Sequence, residues 1–235
     1  MDENNLKNYI KNLGASLVGF ADLRGIDENS RKNMDYGIAI GIKLKPDVIT
    51  EISEGPTKDY YDEYKRVNKL LDGIVLSCVK YINSHGYTAI GQTTAYVTED
   101  DNLTTLLPHK TVATRAGLGW IGKNALLITT EYGSAIRISS ILTDMMLETD
   151  TPINTSKCGK CTCCTEACPA SAIKGKLWNI NISREELIDP FKCRKKAREL
   201  LKQNIGIESA ICGKCINVCP FTKRYIKNSE LVLKL

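Results

Sequence analysis

The chain has 235 residues, of which 43% are hydrophobic, and its 32 basic and 27 acidic side chains give a formal net charge of +5. This length allows one large or two small globular domains, and the lack of an 18-residue apolar run argues against a transmembrane helix. The charge does not argue for nucleic-acid binding, because ten cysteines can supply enough thiolates to cancel it.

Alternating helices and strands are predicted for the first part of the chain. In order, the pattern predicts a helix over 3–13, strands over 15–20 and 36–44, and a long amphipathic helix over 57–84. Gly14 and Gly86 mark the ends of the two helices. Cys78 lies on the apolar stripe of the long helix, which predicts a buried structural thiol.

A glycine-rich segment follows a predicted helix at 111–116. Residues 117–122 fit the G-x-G-x-x-G pattern of dinucleotide-binding loops, and with Lys123 the segment nearly fits a phosphate-binding P-loop. Both motifs should follow a strand and open a helix, whereas this segment precedes a predicted strand at 126–130. Nucleotide binding is therefore not expected. The glycines indicate either a tight connection around a core Trp120 or a backbone held close to a flat cofactor.

The character of the sequence changes near residue 150. Before it, strands are predicted at 126–130 and 136–143, with a turn at 132–134 between them. After it, cysteine density rises and apolar periodicity falls, so metal clusters are expected to organise this part. The predicted domains are residues 1–150 and residues 151–235.

The cysteines of the second domain follow a ferredoxin spacing. Residues 158–169 contain a C-x2-C-x2-C-x3-C-P run, the bacterial signature for a [4Fe–4S] cluster, and an incomplete copy ends at Pro220. In two-cluster ferredoxins the fourth cysteine of a run ligates the other cluster. One cluster is therefore assigned to Cys158, Cys161, Cys164 and Cys219. The other is assigned to Cys168, Cys193, Cys212 and Cys215, with Cys193 replacing the ligand that the second run lacks.

Zinc and disulfides are the alternative uses of these cysteines. Zinc sites usually pair C-x2-C units. Disulfides need an oxidising compartment, and the polar N-terminus shows no signal peptide, so a cytoplasmic location is expected. Cys163 is interpreted as a bystander, although exchange with a neighbouring ligand stays open. Basic side chains at 194–198 either offset cluster charge on a solvated helix or dock an acidic redox partner or RNA.

Several segments resemble epoxyqueuosine reductases. They are the glycine-rich segment 115–128, the Tyr-Gly-Ser turn at 132–134, Leu-Thr-Asp at 142–144, the opening stretch 13–20, and the two cysteine runs with an isolated cysteine between them. The chain is also similar to the corrinoid domain of reductive dehalogenases. The resemblance implies an α+β protein, with an α/β corrinoid-reductase-like (nitroreductase-like) domain followed by a ferredoxin-like domain holding two [4Fe–4S] clusters. In that family the clusters deliver single electrons to a cobalamin, and the reduced corrinoid does the chemistry.

The same resemblance implies the residues of a reductase site. Contacts to cobalamin are expected from Gly117, Gly119, Trp120, Gly122, Lys123, Asn124, Gly133 and Ser134. The family carries an acidic proton donor just before the glycine segment, where this chain has Leu-Pro-His-Lys at 107–110. His109 is therefore a candidate proton donor near neutral pH, with a surface or capping histidine as the alternative. Tyr96 is a second candidate donor.

The leading hypothesis is a cytoplasmic reductase that passes electrons through two clusters to a bound cobalamin. Its expected partners are a low-potential donor such as ferredoxin or flavodoxin, and a small-molecule or modified-nucleoside substrate, with no membrane. The absent acidic residue and the missing C-terminal helical repeat leave tRNA a doubtful partner, and no twin-arginine leader is present. A pure electron carrier without corrinoid, or a reductive activator of another corrinoid protein, is the alternative.

Overall fold

The protein, seen in a computed structural model that describes residues 3–232, divides into two compact units. The first unit comprises the chain up to Ile42, together with Arg66–Gly119 and Arg137–Asn154. The second comprises Lys43–Lys65, Trp120–Ile136 and the chain from Thr155 onward. Two early segments therefore belong to the unit that contains the cysteine runs. Residues 1 and 2, which contribute to the expectation about the N-terminus, lie outside the described residues.

Helices and strands alternate through the first part of the chain. In order they are α1 (Glu3–Asn12), β1 (Leu17–Asp22), β2 (Tyr36–Lys43), α2 (Pro46–Thr50), a short 3-10 helix (Glu51–Ser53), α3 (Lys58–Ser84), β3 (Ala89–Gln92) and α4 (His109–Arg115). The second part forms β4 (Trp120–Ile121), β5 (Leu127–Ile128), β6 (Ile136–Thr143), α5 (Cys163–Glu166), α6 (Arg184–Leu187), α7 (Pro190–Ile205), α8 (Lys214–Asn217) and α9 (Pro220–Val232). Within residues 3–232 no helix is both long and apolar enough to cross a membrane.

A four-stranded sheet with the order β1-β2-β6-β3 forms the centre of the first unit. β1 and β2 pair antiparallel, with Val18 opposite Ile40. β3 and β6 also pair antiparallel, and Gln92 lies opposite Ser140. Ile and Val side chains are prominent at the buried positions of these strands, as in Val18, Ile38, Ile40 and Ile141, which agrees with their preference for a pleated surface.

Close packing of helices on this sheet depends on glycine. A Cβ at Gly19 in β1 would lie 2.6 Å from the backbone oxygen of Ala116, just after α4, so only glycine permits this approach. A Cβ at Gly91 in β3 would lie 2.6 Å from the side chain of Val75 in α3. These approaches hold α3 and α4 against the sheet and fix the position of His109, the first residue of α4.

The long helix confirms the prediction made from its apolar spacing. Its buried stripe consists of Val67, Leu71, Ile74, Val75, Cys78 and Ile82. Burial raises the pKa of the Cys78 thiol to about 12. Cys78 is therefore the buried, protonated structural thiol that the sequence predicts.

The bounds of two predicted strands need correction. The first strand begins at Leu17 rather than at residue 15, because Gly14 adopts φ +109 and the N–H of Ala15 still donates to the carbonyl of Ile10 in α1. The strand predicted over 126–130 is limited to β5, Leu127–Ile128. β5 pairs with β4 in a separate two-stranded sheet, whereas β6 joins the four-stranded sheet.

Short helices joined by loops make up most of the second unit. The longest, α7, begins at a cap in which the Asp189 side chain accepts from the N–H of Lys192, with Pro190 at the first helical position. It ends at Gly206, which adopts φ +73. These end signals place Cys193 in the first turn of the helix.

The early segment 43–65 is fastened to the cysteine-bearing helices by specific hydrogen bonds. The amide of Asn217 in α8 donates to the carbonyl of Ile49 at 2.8 Å. The amide of Asn204 in α7 donates to the carbonyl of Pro56 at 3.1 Å. These amides satisfy backbone carbonyls at α2 and in the connection between the 3-10 helix and α3.

Candidate functional site

Four of the predicted cluster ligands line one cavity of the second unit. Cys158, Cys161, Cys164 and Cys219 border a space of about 370 Å³, including its open mouth. Three of them come from the first cysteine run and Cys219 comes from the second. This is the grouping that the exchange of fourth ligands predicts. Burial, followed by the charges of Cys158 and Cys219, raises the pKa of Cys164 to about 11.

The other four predicted ligands influence one another's ionisation. Burial raises the pKa of Cys193, and the charges of Cys168 and Cys212 raise it further. Burial also raises the pKa of Cys215 well above its usual range, followed by the charges of Cys212 and Cys193. The Sγ of Cys168 accepts a hydrogen bond from the N–H of Ala172 at 3.4 Å. The structure therefore brings Cys168, Cys193, Cys212 and Cys215 together.

The thiols that line the cavity call for a positively charged group between them. Thiols that surround a cavity leave room for a larger group. Bringing buried thiolates together is costly unless positive charge lies between them, and an iron–sulfur core supplies that charge.

Cys163 differs from its neighbours. It is exposed and does not line the cavity. A hydrogen bond with Cys161 is the main cause that raises the pKa of the Cys163 thiol, and the slight burial of Cys163 is a smaller one. Its position agrees with the interpretation of a bystander next to the ligand loop.

The glycine segment forms a hairpin whose tip reaches this cavity. β4 and β5 pair antiparallel with Trp120 opposite Ile128, and the N–H of Ala125 donates to the carbonyl of Gly122 to close the tip. A helix precedes the segment and a strand follows it, which confirms the context that excludes a dinucleotide or P-loop motif. A Cβ at Gly122 would lie 2.7 Å from the side-chain oxygen of Asn124, so this glycine serves the turn.

Lys123 and Asn124 occupy the tip of the hairpin and line the cavity. Both are buried, with exposures of 7% and 3%. The Nζ of Lys123 donates to the carbonyl of Cys161 at 2.8 Å. The Nδ2 of Asn124 lies 3.5 Å from the carbonyl of Cys215. The tip therefore contacts the backbone of both cysteine runs.

The eight residues expected to contact cobalamin are divided between the two units. Gly117 and Gly119 belong to the first unit, and the other six, which include Lys123 and Asn124, belong to the second. A Cβ at Gly117 would lie 2.8 Å from the carbonyl oxygen of Thr151, so this glycine approaches protein backbone. Trp120 is in the core, as the tight-connection alternative predicts, and packs edge-on against Phe221 at a centroid distance of 4.9 Å.

Gly133 and Ser134 also contact protein. A Cβ at Gly133 would lie 2.5 Å from the Oγ1 of Thr222, and the N–H of Ser134 donates to the same oxygen at 3.1 Å. Both residues therefore pack on the start of α9, immediately after Cys219 and Pro220. Their contact with cobalamin stays a prediction, as it does for the glycine segment.

Polar and charged side chains surround His109 in the first unit. The Nδ1 of His109 lies 2.9 Å from the Oγ of Ser140. Burial, followed by the charge of Arg137, lowers the pKa of His109 to about 4, although Asp72 opposes this shift. The imidazole is therefore neutral at pH 7 and offers an N–H rather than an imidazolium. The side chain is half-buried at the first residue of α4, and its expected role as a proton donor stays a prediction.

Sequence reasoning missed the partners of His109. Ser140 is fully buried in β6, and Gln92 lies opposite it on the same face of the sheet. Within the described residues, the buried Nε2 of Gln92 has no hydrogen-bond partner, which is a position that a polar ligand would satisfy. The signal was present as two adjacent serines within the strand predicted over 136–143.

Tyr96 has a different environment from His109. Its side chain is exposed, and its hydroxyl accepts a hydrogen bond from the Nζ of Lys32 at 2.8 Å. The same ammonium lies 4.5 Å from the ring centroid. The solvent around Tyr96 makes it the weaker of the two candidate donors.

Comparison with known proteins agrees with the cysteine geometry. Residues 157–222 match the family described as "4Fe-4S double cluster binding domain". Epoxyqueuosine reductase from Atelocyanobacterium thalassa (isolate ALOHA) is 30% identical over 183 residues, covering 74% of this chain and 52% of that relative. The chain is similar to epoxyqueuosine reductases. It spans about half or less of the length of the curated relatives it matches.

Solved structures confirm the predicted α+β class. A structure of epoxyqueuosine reductase with an epoxyqueuosine-modified tRNA-Tyr stem loop superposes with a TM-score of 0.63 at 20% identity, covering 94% of this chain and 65% of that one. A reductive dehalogenase, whose structure suggests a mechanism for B12-dependent dehalogenation, gives a TM-score of 0.69 at 18% identity, covering 98% and 33%. At these identities the structures show the fold alone.

The comparisons do not support the doubt about tRNA. The relatives are named for epoxyqueuosine, and one of the similar structures contains an epoxyqueuosine-modified tRNA stem loop. The expectation against tRNA came from a missing acidic residue and from the length of the chain.

Proposed function

We propose that this protein is a reductase that uses two [4Fe–4S] clusters and a corrinoid to reduce a modified nucleoside of the epoxyqueuosine type. The observation that carries the proposal is the grouping of the predicted ligands into two sets of four, one of which lines a cavity. The match to a double-cluster domain and to epoxyqueuosine reductases supports it.

Two sets of thiolates would hold the clusters in the second unit. Cys158, Cys161, Cys164 and Cys219 would bind one cluster, and Cys168, Cys193, Cys212 and Cys215 would bind the other. When bound, the clusters would supply single-electron transfer and the corrinoid would supply the reducing centre. The unpartnered amide of Gln92 fits a polar ligand in the first unit.

Placing a donor at the substrate oxygen is the part of the reaction that this chain's own residues provide. Reductive removal of an epoxide oxygen as water takes up two protons together with two electrons, and solvent water supplies the protons. His109 is our candidate hydrogen-bond donor, because its half-buried imidazole lies 2.9 Å from the hydroxyl of Ser140. If this hydroxyl donates to Nδ1, the neutral imidazole keeps its Nε2–H for a hydrogen bond to the substrate oxygen. Removing one such donor typically lowers a rate by about 10²–10³-fold.

Cofactor content and turnover test the proposal separately. Protein reconstituted with iron and sulfide under anaerobic conditions is titrated with hydroxocobalamin and followed by visible absorption. It is then assayed with an epoxyqueuosine-containing tRNA stem loop and a strong reductant. We expect binding of the corrinoid, formation of the deoxygenated nucleoside, and a rate lower by about 10²-fold or more in His109→Gln. Tyr96→Phe serves as the control variant and should keep most of the activity.

Each negative result has a distinct meaning. A protein with both clusters but no corrinoid binding would leave the pure electron carrier as the better description. Corrinoid binding without turnover of the stem loop would overturn the substrate class while keeping the cofactors. Equal rates for His109→Gln and the native protein would remove His109 from the mechanism.

A further inference from the structure

Lys123 is a buried cation with no buried anion to match it. Its side chain is 7% exposed and lies at the tip of the β4–β5 hairpin. Among residues 3–232 no carboxylate forms an ion pair with Lys123, whose hydrogen bond goes to the carbonyl of Cys161. The ammonium carries three N–H donors, so this carbonyl uses only one of them. Burying an ammonium in this way is costly unless negative charge lies close by.

The cavity next to Lys123 is where negative charge is expected. The same space is lined by Lys123 and by four thiols, Cys158, Cys161, Cys164 and Cys219. Four thiolates around an iron–sulfur core of about +2 give a net charge of about −2, which becomes about −3 after uptake of one electron. A cation fixed beside the cavity therefore gains interaction energy when the electron arrives, because attraction grows with the charge of its partner.

We propose that Lys123 sets the reduction potential of the cluster bound by Cys158, Cys161, Cys164 and Cys219, by holding a buried positive charge against it. This inference rests on the proposed function, because it requires the cluster. Lys123 stabilises the reduced form of this cluster more than the oxidised form. The cluster is therefore easier to reduce than it would be without the buried charge. Its hydrogen bond to Cys161 fixes the ammonium at the rim of the cavity.

A structural role for Lys123 makes a different prediction. If the ammonium only anchored the hairpin to the ligand loop, then a neutral donor at this position would leave the potential unchanged. Lys160 offers a matched comparison, because it lies in the same loop beside Cys161 but is exposed. Water and salt screen a charge at an exposed position, so its removal should have little effect on either cluster.

Redox titration of the anaerobic reconstituted protein, monitored by EPR, tests the proposal. The variants are Lys123→Met, which removes charge and hydrogen bond, Lys123→Gln, which keeps a donor, and Lys160→Met as control. We expect one of the two cluster potentials to become more negative in both Lys123 variants and to stay near the native value in Lys160→Met. The shift should persist at high salt, since a buried charge is poorly screened.

The outcomes separate this inference from the proposed function. Native protein that binds no cluster would overturn both. Two clusters with unchanged potentials in Lys123→Gln would overturn the inference alone and leave the proposed function intact. If Lys123→Met loses iron, the result for Lys123→Gln decides, and Lys123→Arg should then restore the native potential more closely than Lys123→Gln does.

Discussion

Replacing Gly133 with alanine tests how tightly the turn after β5 packs on the start of α9. Gly133 adopts φ +59, a conformation that costs other residues roughly 1–2 kcal/mol. An added Cβ would lie 2.5 Å from the Oγ1 of Thr222 and 2.7 Å from the carbonyl carbon of Phe221. The second of these atoms is backbone, so the contact cannot be relieved by turning a flexible side chain.

The expected loss of stability combines two costs. Overpacking of this kind typically costs about 1–3 kcal/mol, so Gly133→Ala should lower the free energy of unfolding by about 2–5 kcal/mol in total. Gly206→Ala is the matched control, because Gly206 adopts φ +73 and an added Cβ there meets no atom within 4 Å. The control should lose only the conformational part, roughly 1–2 kcal/mol.

Urea unfolding of the anaerobic holoprotein, followed by circular dichroism, measures the difference. With a slope of about 2 kcal/mol per molar urea, the overpacking cost places the midpoint of Gly133→Ala roughly 0.5–1.5 M below that of Gly206→Ala. The cluster absorbance should also be lost earlier, because Cys219 lies just before the displaced turn of α9. Equal midpoints for the two variants would refute the packing argument.

Two further predictions concern the clusters and His109. Anaerobic protein should contain about eight irons per chain, and Cys193→Ala should lose about half of them, whereas Cys163→Ala should keep them; equal iron in the two variants contradicts the pairing. The pKa of His109 is about 4 in the folded protein, below about 6.5 in the unfolded chain. The folded state therefore binds fewer protons between these values, so the stability from neutral His109 is full above about pH 6.5 and is lost as the pH falls toward 4. As the pH is lowered from 7 to 5, the urea midpoint should fall less steeply in His109→Gln than in the native protein. Identical dependence of the midpoint on pH in the two proteins would show that His109 is not the group responsible.

The spacing of residues along the sequence predicted several features of this protein. The C-x2-C-x2-C-x3-C-P run indicated a [4Fe–4S] site, since ligands a few residues apart are set by the loop itself. The long helix and its buried Cys78 followed from apolar periodicity for the same reason. The helix before the glycine segment and the strand after it were also predicted, and they excluded nucleotide binding.

Contacts between distant parts of the chain could not be predicted in this way. The sequence does not reveal that segment 43–65 joins the cysteine unit, because amides of Asn204 and Asn217 make those contacts from far along the chain. It also does not reveal that β5 pairs with β4 rather than joining the four-stranded sheet.

The same distinction between local pattern and tertiary contact applies to the candidate site. By itself the sequence predicted which eight cysteines are the candidate ligands and how they pair, because an exchanged fourth ligand is expected from the spacing of the runs. Only the tertiary structure decided that Lys123 faces the first cavity and that Ser140 fixes His109. Those contacts depend on a hairpin tip and on strand register, which bring together residues that no local pattern relates.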